Sequence, residues 1–302
     1  MRRMVTGSRE SSAQQSRGRG VGAPVLLAVA LLAAAIALVV WSMSSASTLG
    51  RLEHEEVSDF SRIRVRRDGD VRALTFVRDN GQEAVQSRVN LAEPHTLMSP
   101  YAHAMFATYL YQPHPRRVLI VGLGGGAMVR FLTHHEPQLH IDAVEIDPAV
   151  VRLAEEYFGV RSGGNVRIHT ADVVAFVEST AERYDLILMD AFLRPSSDTD
   201  ATGVPTGLKT LAFLDRLKQA LAPGGVVAFN VNEHASMADD IAAVAAAFGH
   251  AAVYRSPPSD NKVVIAVEGA LATDAELRAR ISALDARFGG ALSFAEVLRN
   301  RE

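Results

Sequence analysis

The stretch 118–128, VLIVGLGGGAM, constrains this chain more than any other. Four apolar residues read as a buried parallel strand, and Gly122, Gly124, Gly125 and Gly126 then turn it sharply into a helix over 127–134. With no Cβ in the way, such a turn lets backbone N–H groups and a helix N-terminus approach a ligand closely. A glycine turn also serves plain strand–helix packing, so the spacing downstream decides its purpose.

Downstream the pattern is strand and helix in alternation. Apolar strands at 141–146, 166–170, 185–190 and 226–231 are separated by amphipathic helices at 148–158, 173–182, 209–221 and 236–248. This predicts an α/β fold, a doubly wound, mostly parallel sheet covered on both faces. Two further strands, 251–254 and 262–267, lie too close together for a helical crossover, so they should pair antiparallel as a reversed edge, giving seven strands. The tail 273–301 reads as two helices broken at Gly289-Gly290.

Upstream, short alternating segments at 62–66, 71–77 and 84–89, with Asp68-Gly69 and Asn80-Gly81 between them, predict a small antiparallel β-domain over 57–92. Residues 100–111 carry helical spacing and lead into Pro113 and Pro115. Residues 1–22 are polar, Arg-rich and without apolar period, which predicts disorder. Residues 23–42 are almost wholly apolar and long enough to cross a bilayer, with arginines before them favouring a cytoplasmic N-terminus. A cleaved signal peptide is the competing reading, because Ser44-Ser45-Ala46 resembles a cleavage site. With an uncleaved anchor the membrane is a partner, and either way the folded domain is expected outside the cytoplasm; translation from Met43 would instead leave it cytoplasmic. Residues 43–56 read as a linker, 93–270 as the main domain and 271–302 as C-terminal helices.

Net charge is -3, and five arginines against one glutamate in residues 1–20 leave the body more acidic than that figure implies. A mildly acidic body argues against nucleic acid and suits a cationic small molecule, an amine. There is no cysteine, which removes disulfides, zinc–thiolate sites and cysteine nucleophiles. No histidine spacing converges on a metal, so none is expected. A homo-oligomer is compatible with this composition.

In open α/β sheets, ligands sit beyond the C-terminal strand ends. The polar residues there are Glu145, Asp147, Asp172, Asp190, Asn230 and Asn232. Glu145 lies 23 residues after Gly122, where a carboxylate can accept from both hydroxyls of a ribose. Asp172 can accept from an adenine amine. Acids on the third and fourth strands, with the reversed edge, suit a fold of the class I S-adenosylmethionine-methyltransferase type better than a dinucleotide dehydrogenase.

The segment from about 57 to 267 resembles the spermidine synthase (polyamine aminopropyltransferase) family, and is most similar to its membrane-linked branch. The matching stretches are VLIVGLGGGAMVRFLTHH, VEIDPAVV, TADVVAF, YDLILMDAF and LAPGGVVAFNV, with Gln86 and Tyr101 upstream. The resemblance implies that decarboxylated S-adenosylmethionine (or S-adenosylmethionine) is the co-substrate. Glu145 would hold its ribose, Asp172 its adenine, and Gln86 with Gly122, Gly124 and Gly126 its remainder. Asp190 would bind and deprotonate the attacking diamine, with Tyr101 assisting. Three positions depart from the family pattern. Gly125 stands where the turn carries an Asp for the aminopropyl ammonium. Leu193 and Arg194 follow Asp190 where a second Asp is expected. Tyr101-Ala102-His103 replaces Tyr-His-Glu. Asp198 or Asp200 could take the second acid's place. These departures keep two alternatives open, a methyltransferase on the same fold and a membrane-anchored, non-catalytic adenosyl-binding homologue.

Overall fold

The computed structural model describes residues 49–302. The predicted disordered start, the predicted membrane span 23–42 and most of the predicted linker lie outside the described residues. Among the described residues no helix is long and apolar enough to cross a membrane.

Four strands open the fold: β1 (Arg51–Val57), β2 (Arg62–Asp68), β3 (Val71–Val77) and β4 (Glu83–Asn90), antiparallel in the order β1-β2-β3-β4. Residues 51–56, expected to be linker, are thus an edge strand. The sequence RLEHEEV hides this because charge pairs rather than apolar alternation seat it. Glu55 binds Arg62 and Arg64 of β2, and Glu53 binds Arg72 of β3. One face of this sheet is apolar (Ile63, Val65, Leu74, Phe76, Val89) and packs on helix α4 (Pro148–Phe158) of the main domain. On the other, Arg64 and Arg66 converge on Glu83 and outweigh its burial, holding its carboxyl at about 2.

The expected helix over 100–111 is two short ones, α1 (Pro100–Met105) and α2 (Thr108–Tyr111). The main sheet follows, with strands β5 (Arg117–Val121), β6 (His140–Glu145), β7 (Val166–Thr170), β8 (Tyr184–Met189), β9 (Leu221–Val231), β10 (Gly249–Arg255) and β11 (Lys262–Glu268). Their spatial order is β10-β11-β9-β8-β5-β6-β7. β10 and β11 run antiparallel, as the short connection between them demands. The helices are α3 (Ala127–His135), α4, α5 (Val173–Ser179), α6 (Leu211–Ala220), α7 (Met237–Phe248), α8 (Asp274–Arg287) and α9 (Phe294–Arg299).

Alternation along β5 shows why both faces are covered. Val118 and Ile120 enter one core layer, with α1, α3 and the C-terminal helices; Leu119 and Val121 enter the other, with α5, α6 and α7. The chain leaves β5 towards β6 and β7, then returns to place β8 on the other flank. The C-terminal ends of β5 and β8 therefore form the topological switch point, and the candidate site residues gather there.

Candidate active site

The glycine turn is shaped by its neighbours, and each glycine answers a different one. Gly122 has φ of 90°, and a Cβ there would lie 2.2 Å from the Asp190 carbonyl oxygen. Turn and β8 end are thus in backbone contact. At the other end of the turn β4 lies overhead: Cβ atoms on Gly124 and Gly125 would meet Ser87 at 3.6 and 2.9 Å. Gln86, next to Ser87, lines the same cavity, its amide donating to the Ala84 carbonyl at 3.2 Å. A cavity of about 1010 Å³ spreads over this floor, bringing Gln86, Tyr101, Gly122, Gly124, Gly126, Glu145, Asp172 and Asp190 together.

Glu145 is buried at the end of β6, and burial raises its carboxyl above the ordinary value. Its oxygens accept from the Leu123 N–H at 2.9 Å and the Asp147 N–H at 3.0 Å. The Gly124 N–H also favours its charged form, so the carboxylate shapes the turn and keeps a lone pair for a ligand. Asp147 caps α4 through the Ala149 N–H and takes the Ser58 hydroxyl at 2.5 Å, tying the β-domain to the main domain. Asp172 caps α5 through the Val174 N–H at 2.7 Å and is exposed to solvent.

Asp190 is half-buried just past β8. The Tyr101 hydroxyl donates to its Oδ2 at 2.9 Å, and the Asn230 amide donates to its Oδ1 at 2.8 Å. Burial raises its carboxyl to about 6; the two hydrogen bonds pull it down, and the nearby Glu145 charge pushes it up. Burial and the Asp190 charge likewise drive the Tyr101 hydroxyl well above its usual range, so it remains a donor. Asn230 lies in the buried end of β9, and its own Oδ1 has no partner. Sequence reasoning places Asn230 at a strand end but gives it no task; its pairing with a residue 40 positions away carries no local signature.

The departures have physical shapes. The space an Asp at 125 would need is filled: its Cβ would lie 2.9 Å from both the Phe158 ring and the Ser87 hydroxyl. Beneath it Arg130 is buried without an acid among the described residues, bonding the carbonyls of Gly125, Phe158 and Pro94; burial lowers it to about 10. After Asp190, Asp200 is already engaged. Its Oδ1 accepts from Thr202 and Val204, and its Oδ2 from Lys209 at 2.5 Å. Lys209 also reaches Asp240 of α7 at 2.5 Å, with the His234 ring 3.0 Å from the same carboxylate. Asp200, His234 and Asp240 are close enough to surround a cation, but Lys209 already reaches both acids. Asp198 is exposed.

Residues 102–258 match the spermine/spermidine synthase domain. The chain belongs to that family. It is a family of transferases, and the chain is 31% identical over 236 residues to a polyamine aminopropyltransferase of Vibrio vulnificus, covering 76% of this chain and 77% of that one. Two solved structures share the fold. A probable spermidine synthase from Corynebacterium glutamicum superposes with TM-score 0.61 at 20% identity, covering 82% of this chain and 96% of that one. Human methyltransferase-like protein 13, in complex with SAH, superposes with TM-score 0.58 at 25% identity, covering 63% of this chain and 92% of that one. The fold within the described residues is thus the Rossmann-like methyltransferase and spermidine synthase fold, with a seven-stranded, mostly parallel sheet and a small N-terminal antiparallel sheet.

Proposed function

We propose that this protein transfers an aminopropyl group from decarboxylated S-adenosylmethionine to an amine held at Asp190. The Tyr101–Asp190–Asn230 arrangement beside the glycine turn carries this reading. The amine nitrogen attacks the carbon bound to the sulfonium, the N–C bond forms, and the C–S bond breaks with its electron pair going to sulfur. The product thioether is neutral, so the leaving group needs no acid. The new ammonium loses one proton, and a carboxylate near 6 is ionised at neutral pH and basic enough to take it. Tyr101 and Asn230 orient that carboxylate, while Glu145, Asp172, Gln86 and Gly122, Gly124 and Gly126 are the donor's contacts. Positioning and one base then account for the catalysis.

A specific observation favours a second reading, methyl transfer from S-adenosylmethionine to the same amine. The filled space at Gly125 and the unpaired Arg130 beneath it leave the tail end of the turn without an acid for an ammonium. The apolar run 23–42 supports an N-terminal membrane anchor, or a signal peptide, with the domain outside the cytoplasm. One experiment separates the readings. Full-length protein is incubated with each donor and a panel of amines, and products are weighed by mass spectrometry. Methylthioadenosine from the decarboxylated donor supports the first, S-adenosylhomocysteine from the intact donor the second, and neither product refutes both.

A further inference from the structure

A second cavity, of about 70 Å³, adjoins the large one where Ala191, Leu208 and Asn230 line both. It lies in the core layer between the main sheet and helices α6 and α7, and its walls are Met189, Leu214, Phe229, Val231 and Val244. Walls of this kind hold water poorly, and the space admits roughly three non-hydrogen atoms. Its polar rim is Lys209 with Asp200, Asp240 and His234. Both acids of that rim already hold the Lys209 ammonium at 2.5 Å, so a second cation arriving there would have to displace it. Leu193, three residues after Asp190, adds no charge on the way.

We propose that this cavity is the tail subsite of the acceptor, which is a primary monoamine carrying an apolar substituent of about five carbons, roughly the outer three of them in the cavity, rather than a diamine. The proposal rests on the reading that Asp190 holds the amine, and it holds for either transferred group. The reacting nitrogen sits at Asp190, whose carboxylate Tyr101 and Asn230 hold in place. The chain passes Ala191 and Leu208 into the apolar cavity, where removing it from water supplies the selectivity.

The test compares pentylamine with the matching diamine, which differs only by a second terminal amine, on full-length protein. Pentylamine should turn over with about tenfold higher kcat/KM, and bind more tightly to methylthioadenosine-loaded protein by calorimetry. Ala243, on the α7 wall, supplies the steric control. Ala243→Leu should lower the ratio of pentylamine to methylamine turnover about tenfold, and Leu208→Ala should move the preferred chain length upward. Diamine binding equal to or tighter than pentylamine binding, or a chain-length preference unmoved by both substitutions, overturns the subsite. Absence of product with every amine and both donors refutes the transfer reading instead. The binding preference, which needs no turnover, still decides the subsite.

Discussion

The two ends of the large cavity are built differently. On the glycine-turn floor, where the donor is proposed to lie, each acid is held by backbone within a few residues of its own strand end or of the adjacent turn. Glu145 takes the N–H groups of Leu123 and Asp147, and Asp172 takes that of Val174. On the Asp190 side, where the acceptor is proposed to lie, the polar groups are held by one another across long stretches of chain. Tyr101 and Asp190 are 89 residues apart and Asn230 and Asp190 40, and in the adjoining small cavity Lys209 and Asp240 are 31 apart. Backbone-held geometry follows from motif spacing, whereas side-chain pairing across the fold follows only from the topology that brings strand ends together. The glycine-turn floor is therefore readable from local spacing, whereas the Asp190 side is readable only once the fold is known.

The sharpest way to break that contrast is Asp190→Asn. The substitution keeps shape and removes the proposed base, so transfer should fall by about 10²–10⁴-fold in initial rate, and survival of activity would remove Asp190 from the mechanism. Stability should move the other way. Asp190 is raised to about 6 from an ordinary 3.8, so the stability it contributes is fully present below 3.8 and is lost as pH rises through about 6. At pH 8 the ionised group costs on the order of 2 kcal/mol after allowance for its partial exposure. The neutral variant, whose new amide Asn230 can meet by turning its own, should melt roughly 2–4 °C higher at pH 8 and show no gain at pH 4.

On the donor floor the corresponding break is a pair of glycines. Gly122→Ala places a methyl group against the backbone of Asp190 at 2.2 Å with φ of 90°, and neither partner is a side chain that can swing away. The expected loss is at least about 3 kcal/mol by denaturant unfolding. Gly124→Ala, with φ of 52° and its nearest neighbour at 3.6 Å, should cost only about 1 kcal/mol. Equal effects would mean that contact with β8 does not shape the turn.

Lys209→Met tests the acceptor rim. Its carboxylate partners keep some exposure, so losing the cation should destabilise by only about 1–2 kcal/mol. Burial pushes the Asp200 carboxyl up, but Lys209 and the Thr202 and Val204 donors outweigh it and hold it at about 2. A depressed carboxyl contributes stability that is present above 3.8 and lost as pH falls through about 2. The gap between wild type and variant should therefore be full above pH 4 and close towards pH 2 in a thermal melt series. The same cluster shows where sequence reading stops. The strand–helix alternation, the reversed edge, the glycine turn and the acids at strand ends are legible because apolar period and local spacing encode them. Asp200 reads as a loop acid that could stand in for the missing second acid, because nothing near it in sequence announces its engagement with Lys209 or that residue's second partner on α7. β1 is missed for the same reason: its partners are arginines on other strands, not an apolar face of its own.

Tyr101→Phe is the finest probe, because it leaves the base and removes one of its two donors. The phenol touches Asp190 and packs against the core layer beneath α1, so the ring should stay in place and the rate at pH 8 fall about tenfold or less. The pH profile carries the discriminating signal. A hydrogen bond to the charged form favours that form, so losing it raises the Asp190 carboxyl above about 6 and moves the acid limb of kcat/KM to higher pH. Asn230→Ala removes the opposite donor and should shift the limb in the same direction. A tyrosine acting only by filling space would lower the rate without moving the limb, and a tyrosine that positions the base must move it.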